Sequence, residues 1–409
     1  MTGAMGWAAN KTPAQWAILA AAMLGWSLDG MDVMLYAFGL TSIRHEFALS
    51  SAAAGALASL TLVASAVGGL LFGYLADRVG RIRALVFSIL AYSVFTALTA
   101  TSHSLAELIL WRTLLGLGLG GEWAAGSVLV AESWPAEDRA KAVGIVQSGW
   151  ALGYIAAALL AARLLPTYGW RALFVAGVTP ALFTVWIWKF IPEPPLAVRA
   201  QLQARNSSPL QLLRKPYRRT VIRATLLSSC LMFAYWGLFT WIPAYLSSPI
   251  ASGGAGLKIV QSTSWIIPMQ IGAFFGYILF GFFADRFGRR PAFVVFVLAS
   301  ALLVPVYGSA SRSPLVLLAM GPLLGFFGHG YFTIFGALLA ELFPSPVRAM
   351  AQGLCYNAGR AISAAAPATV GYMADRHGIG LALATTSVLY VAGAALVFLL
   401  PETRGRELA

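Results

Sequence analysis

Polar residues in this chain are gathered into short clusters, and between them run long stretches with almost none. Twelve apolar runs stand out, near residues 15–40, 52–76, 83–102, 106–132, 141–163, 171–191, 221–247, 260–284, 291–310, 314–341, 349–373 and 380–400. About 20 apolar residues let a helix cross a bilayer, and every run reaches about that length. Soluble helices of this length and number would need polar faces, which these runs lack. The pattern predicts an all-α integral membrane protein of twelve transmembrane helices.

The polar clusters repeat. Gly73-Tyr-Leu-Ala-Asp77-Arg78-Val-Gly80-Arg81 returns as Gly281-Phe-Phe-Ala-Asp285-Arg286-Phe-Gly288-Arg289. Glu132, Pro135, Arg139 and Gly144 return as Glu341, Pro344, Arg348 and Gly353, and Pro192-Glu193 returns as Pro401-Glu402. The spacing is 208 or 209 residues throughout. The chain is therefore a six-span unit repeated once, predicting two six-helix bundles over residues 1–191 and 220–409. Residues 192–219, rich in Pro, Arg, Gln and Ser, form the linker and read as a cytoplasmic loop. Two similar membrane-embedded halves with a site between them are the plan of a transporter.

Composition agrees, with 59% hydrophobic and 11% charged residues. A formal charge of +13 would suggest a nucleic-acid partner in a soluble protein, but here position matters more than the sum. With an even number of spans, most Lys and Arg fall on the side of the termini: Lys11, Arg78 to Arg83, Arg139, Lys141, Lys189, the run from Arg199 to Arg223, Arg286 to Arg290, Arg348, Arg404 and Arg406. The positive-inside rule then puts both termini in the cytoplasm, in a cell (inner) membrane. No nucleic acid is expected, and membrane lipid is the expected surface partner. The first run is too long for a signal peptide, has no small-residue cleavage site and contains Asp29 and Asp32, so no removable leader is expected. Cys230 and Cys355 both lie within spans, and His45, His103, His329 and His377 are scattered. No disulfide framework or metal site is expected.

The charged turn and its duplication are similar to the signature of the major facilitator superfamily, Gly-x-x-x-Asp-Arg-x-Gly-Arg-(Arg/Lys) after span 2, and the resemblance covers essentially the whole chain. It implies two six-helix bundles that rock about a midplane site, with spans 1, 4, 7 and 10 lining the cavity. It also implies that the turns latch the cytoplasmic gate. Asp77, Arg78, Arg81, Asp285, Arg286 and Arg289 take that role, with Glu132, Arg139, Glu341 and Arg348 beside them. Arg78 and Arg81 sit where they can reach carboxylates across the cytoplasmic gap. A simple topology anchor would need arginine but not aspartate. A third near-copy, Gly371-Tyr-Met-Ala-Asp375-Arg376-His377-Gly378, falls on the outer side by span count and lacks the trailing arginine. It reads as a coincidence of the fold.

Ionisable groups within a span cost about 2.5–3.5 kcal/mol each on insertion scales and mark functional positions. Asp29 and Asp32, three residues apart on span 1, share a helix face. Two carboxylates so close in a low dielectric resist ionising together, so one is poised to take and release a proton. The alternative is that each sits in a structural ion pair. At about 1.5 Å per residue, Arg112 lies about 9 Å below the outer end of span 4 and level with Asp29, so the two could pair. Arg112 heads a run of spaced glycines, Gly116, Gly118, Gly120 and Gly121, which permit close helix packing. That stretch is similar to the superfamily's span 4 motif, whose arginine is linked to proton coupling. Glu122, about 15 Å deeper, is either a second proton site or part of a cytoplasmic gate. Arg360 stands about 18 Å from the inner end of span 11, with Tyr356 and Asn357 one turn earlier. A guanidinium at that depth suits a carboxylate, which it can hold through two parallel hydrogen bonds. The alternative is a buried pair with Glu122 or an aspartate. Gln147, Gln270, His329, Tyr154 and Trp241 complete the candidate lining.

Trp26-Ser-Leu-Asp29-Gly30-Met-Asp32, Gly121-Glu122-Trp123 and Tyr356-Asn357-Ala-Gly-Arg360 together resemble the carboxylate:proton symporter branch, which includes sialate, lactate and aromatic-acid carriers. The expected function is proton-coupled symport of an organic monocarboxylate, with Arg360 on the carboxylate, Asp29 and Asp32 carrying the proton and Arg112 tuning them. Pro401-Glu-Thr-Arg-Gly405 is also similar to sugar porters, which keeps a sugar or polyol open as cargo. A drug or metabolite exporter is the other alternative, although span 5 (Val143 to Arg163) lacks the proline typical of such exporters. An enzyme would need a cluster of nucleophile, base or metal ligands, and a receptor on this plan would usually carry a soluble domain. Neither is expected. No cofactor beyond the coupling proton is expected, and a monomer suffices because one chain supplies both halves.

Overall fold

The first helix begins where the sequence supplies a complete cap. Thr12 accepts a hydrogen bond from the Gln15 N–H at 3.3 Å, the Gln15 side chain accepts one from the Thr12 N–H at 2.9 Å, and Pro13 opens the helix, a position that needs no N–H. A computed structural model of the protein describes residues 11–135, 138–190, 212, 214–344 and 348–404. Among these residues there is no strand. The N-terminal half holds α1 (Pro13–Glu46), α2 (Ser51–Val79), α3 (Arg81–Thr99), α4 (Leu105–Ser133), α5 (Arg139–Ala176) and α6 (Pro180–Phe190). Gly169, at φ 73° and ψ −177°, divides α5 into two crossings.

The C-terminal half holds α7 (Arg218–Phe239), α8 (Ile242–Ser247), α9 (Ile259–Phe287), α10 (Arg289–Ser309), α11 (Pro314–Gly330), α12 (Thr333–Leu342), α13 (Arg348–Ser363), α14 (Ala365–His377) and α15 (Ile379–Leu396). Here α7–α8, α11–α12 and α13–α14 are single crossings with a local break. Nine helical stretches among the described residues are long and apolar enough to cross a membrane by length and composition. One of them, Ala140–Phe190, contains two of the expected runs, divided at Gly169. The two runs outside the nine are α4 and α13–α14, which carry Arg112 and Glu122 in one case and Arg360 in the other. The twelve crossings form two six-helix bundles.

Small residues let these helices approach. A Cβ placed on Gly118 of α4 would lie 2.6 Å from the Tyr92 backbone N of α3, and one on Gly116 would lie 2.5 Å from the Thr61 carbonyl oxygen of α2. Between halves, α5 meets α9 and α2 meets α13 and α14. Toward the end that carries the termini, Gly144 abuts the Tyr277 carbonyl and Gly281 abuts the Ala140 carbonyl. Toward the opposite end, Gly55 abuts Pro367 and Gly371 abuts Ser51. The halves therefore touch on both sides of the space between them.

The third near-copy of the charged turn has a place in that closure. Gly378 takes φ 85° and ψ 150°, against 109° and 154° for Gly80 and 104° and 156° for Gly288. Each of the three donates its N–H to the alanine four residues earlier. Asp375 then reaches across to the other half, where its Oδ2 accepts the Ala52 N–H at 3.2 Å. That N–H belongs to the unsatisfied first turn of α2, where a carboxylate is favoured. Span count alone cannot show this contact, which joins residues of opposite halves. Asp375→Ala is expected to loosen this end: a cysteine introduced at Ala58, beside the cavity described below, should react with a bulky water-soluble thiol reagent about 2- to 10-fold faster, as loss of a cap of ~0.5–1.4 kcal/mol implies. An unchanged rate in the Asp375→Ala background would count against the contact's closing role.

Candidate functional site

One stripe of α1 faces the space between the halves. Asp29, Val33, Tyr36 and Ala37 line a cavity of about 530 Å³ together with Thr61 and Ser65 of α2, Arg112 and Leu119 of α4, Trp150 of α5, Trp236 and Thr240 at α7, and Arg360 of α13. Trp150 and Trp236, from opposite halves, meet edge to face at 5.9 Å and form an aromatic wall. Thr61 and Ser65 donate their hydroxyl protons to carbonyls of their own helix, at 3.1 and 2.8 Å. The cavity is thus mainly apolar and aromatic, with its charge concentrated on Asp29, Arg112 and Arg360.

The structure distributes those charges differently from the depth estimate. Arg112 lies with its guanidinium 4.4 Å from the centre of the Tyr36 ring, a cation–π arrangement. Its charge is felt at Asp32. Asp32 accepts the Thr96 hydroxyl at 2.6 Å through Oδ1, while its Oδ2 has no partner. Asp29 has Arg360 of the other half as its positive neighbour. Arg360 lies 5.2 Å over the Tyr356 ring, and its Nε, although buried, has no hydrogen-bond partner. Among the described residues neither Arg112 nor Arg360 is within ion-pair distance of a carboxylate. Both guanidinium groups lie against aromatic faces, and Nε of each, with Nη1 of Arg112, has no hydrogen-bond partner.

The other candidates fall in several places. Asn357 presses on Gly69 of the N-terminal half, so it serves the contact between halves, and its Nδ2 is unpartnered. Gln147 lines a second cavity with Glu122. Gln270 is fully buried with neither amide atom bonded. His329 bonds the Gly325 carbonyl at 3.1 Å through Nδ1 and is boxed by Tyr235, Phe239 and Tyr277. Tyr154 donates to the Phe239 carbonyl at 3.3 Å, and Trp241 to the Pro367 carbonyl at 3.0 Å, both away from the cavity wall. Sequence reasoning missed Tyr36, Trp150, Trp236 and Thr96. Tyr36 could have been found, since it lies four residues after Asp32 on the same face. Nothing in an apolar run singles out the other three.

At the terminal end the side chains of Asp77, Arg78, Arg81, Glu132, Arg139 and Arg348 lie outside the described residues. In the C-terminal copy, Arg289 pairs with Asp285 and with Glu341, the latter at 3.0 Å, and Thr403 donates to Glu341 at 2.6 Å. All four belong to one half, so in this conformation the pairing staples that half to itself. Arg286 is exposed beside Phe287. Gly288 cannot cap α10 with a side chain, and Glu402 does so from the far end of the chain, accepting the Arg289 and Arg290 N–H groups at 2.9 Å each. Burial pushes the Glu402 carboxyl up, but these and the Thr403 and Arg404 N–H groups outweigh it and hold the group below its ordinary value. Its stabilisation is therefore full above the ordinary carboxylate range and fades as pH falls through the depressed value.

Two linked bundles enclosing a charged, aromatic-walled cavity define a membrane carrier. The chain belongs to the Major Facilitator Superfamily, which it matches over residues 18–257 and 254–408. It is a multi-pass membrane transporter and not an enzyme. It is 35% identical to the cis,cis-muconate transport protein of Acinetobacter baylyi, covering 90% of each chain. With the sialic acid transporter NanX of Escherichia coli it shares 31% identity over 97% of this chain and 96% of that one. Among solved structures, the proton:xylose symporter XylE superimposes with a TM-score of 0.76 at 20% identity, covering 96% of this chain and 97% of that one. At that identity the likeness speaks for the fold alone.

Proposed function

We propose that the protein is a secondary active transporter that carries an organic monocarboxylate inward together with a proton by alternating access. The observation that carries this is the facing of Arg360 from one half and Asp29 from the other across one cavity, with no ion pair between them. A substrate carboxylate can take the N–H edge of Arg360. Asp29 then loses its positive neighbour to the substrate and takes a proton in exchange, so cargo and proton load together. Arg112 tunes Asp32 through their proximity. The bundles over residues 1–191 and 220–409, tethered by residues 192–219, rock around this site. The positive-inside pattern puts the terminal end in the cytoplasm of an inner membrane, and one chain builds the whole cavity, so a monomer suffices.

The names of the two relatives support an acid as cargo, since muconate and sialate are both carboxylates. The cavity itself disfavours a sugar. Specific recognition of hydroxyls needs several free donors and acceptors, and the Thr61 and Ser65 protons are already spent. The test is uptake of radiolabelled lactate, sialic acid, hydroxybenzoate and cis,cis-muconate into proteoliposomes, with and without an acid-outside gradient. Stimulated uptake of one acid supports symport and names its class. No uptake of any of these acids in either condition would defeat the proposal in favour of a sugar carrier or an exporter.

A further inference from the structure

At the terminal end of the C-terminal half, α7 and α10 begin where α15 runs out into a 3₁₀ turn, Val397–Leu399. α15 packs between the other two. The last carbonyls of a helix have no partner within it, and here two arginines supply one, each from a flanking helix. Arg223 of α7 donates through Nη1 to the Leu399 carbonyl at 3.0 Å, and Arg290 of α10 donates through Nη2 to the Phe398 carbonyl at 3.2 Å. The two carbonyls are consecutive, so guanidinium groups rooted on different helices converge on one spot. A guanidinium carries five N–H donors, and each keeps donors beyond the one spent on α15. Arg223 is exposed and Arg290 half-buried.

The carboxylates nearby are already engaged. Glu402 accepts the Arg289, Arg290, Thr403 and Arg404 N–H groups, and Asp285 and Glu341 share the Arg289 guanidinium. Among the described residues, no carboxylate lies within ion-pair distance of Arg219, Arg223 or Arg290. The spot therefore carries positive charge that no anion of the protein answers. The surface beside it is apolar. Arg219, Ile222, Arg223 and Leu226 follow the spacing of one face of α7, with the arginines toward the helix start. Ile222, Leu226, Phe398 and Leu399 are between 45% and 61% exposed, on a chain whose outer surface faces acyl chains. Basic groups at the rim and bare apolar groups beneath them match the two parts of an amphiphile.

We propose that this crevice holds an anionic phospholipid from the leaflet at the terminal end. Its phosphate bridges Arg223 and Arg290 across the end of α15, and its acyl chains lie on Ile222, Leu226 and Phe398. Two planar forks suit the several acceptor oxygens of a phosphate, and basic pockets between helices at the charged leaflet favour such headgroups. A free phosphate ion would use only the basic rim and leave the apolar wall bare. The headgroup joins α7 to α10, which α15 keeps apart, and so braces the C-terminal bundle at the end that carries the termini. The site is separate from the central cavity and does not depend on cargo or proton.

The test is native mass spectrometry of the delipidated protein in detergent, titrated with dioleoylphosphatidylglycerol or with dioleoylphosphatidylcholine. The wild type is expected to bind the anionic lipid about tenfold more tightly, or better, as one added charged hydrogen bond implies. Arg223→Gln/Arg290→Gln should lose that preference and leave phosphatidylcholine binding unchanged. Arg223→Lys/Arg290→Lys, which keeps the charge without the fork, should fall between. Equal affinity of the wild type for the two lipids would overturn the site, and so would a preference that persists in the glutamine pair. Inorganic phosphate in large excess should not displace the lipid; displacement would reassign the arginines to a soluble anion and overturn the lipid site. Because the same arginines secure the end of α15, Arg223→Gln alone guards against misfolding. It leaves Arg290 on the Phe398 carbonyl, and its affinity for phosphatidylglycerol should still fall severalfold. An unchanged affinity in that single variant overturns the site even where the double variant fails to fold.

Discussion

Arg360→Ala is expected to raise the half-saturation concentration for the transported acid by about 10- to 100-fold in proteoliposome uptake. A hydrogen bond to a charged group is worth ~1.5–3 kcal/mol, and each ~1.4 kcal/mol is a factor of ten. The effect should be large because the competing donors are few. Arg112 is engaged by the Tyr36 ring, and the Trp150–Trp236 wall offers the cargo contact area more than charge. Arg360→Lys keeps the positive charge but loses the planar fork, so its affinity should fall between wild type and alanine. Removing Arg360 also leaves Asp29 without its positive neighbour. The double variant Arg360→Ala/Asp29→Asn separates the two effects, since it removes the stranded charge without restoring a carboxylate partner. Weak affinity that persists in the double variant supports substrate binding. An affinity unchanged in Arg360→Ala would return Arg360 to a structural role.

What could be read from the sequence divides along a physical line. The bilayer imposes apolar runs of fixed length, so the crossings, the two halves and the helix nature of every element are legible in residue order alone. Glu122 and Arg360 also announce themselves, because a charge inside an apolar run is costly enough to be conspicuous. Partners are a different matter. Whether Arg112 meets Asp29 or Asp32 depends on helix rotation and tilt, and a depth count with a 1.5 Å rise is blind to both. Arg112 is found stacked on Tyr36, and among the described residues it forms no ion pair with either aspartate. The Asp375 contact was hidden for a related reason: its meaning lies in which helix end it faces across the two halves. Aromatic side chains such as Trp150 and Trp236 are hardest of all, since in an apolar run a cavity wall and plain packing are written with the same residues.

Asp29→Asn is the second substitution with a large expected effect, and it separates coupling from binding. With one proton carried per monocarboxylate and no net charge moved, a gradient of one pH unit corresponds to ~1.4 kcal/mol and can sustain about tenfold accumulation of cargo. Asparagine occupies the same space and accepts a hydrogen bond, but it cannot take a proton when the substrate claims Arg360. The accumulation ratio should therefore collapse to about one while substrate exchange at equal pH continues. Asp32→Asn should do less. Asp32 is not among the residues lining the cavity, and the Thr96 hydroxyl already donates to its Oδ1, a role an asparagine oxygen can keep. The two variants are compared by the ratio of internal to external substrate at a fixed gradient. Accumulation that survives in Asp29→Asn but is lost in Asp32→Asn would move the proton site one turn along α1, toward Arg112. Accumulation that survives in both would remove α1 from the coupling altogether. The contrast between the two aspartates is physical in origin: one faces the cargo and an arginine of the other half, whereas the other is tied to Thr96 and an arginine of its own half.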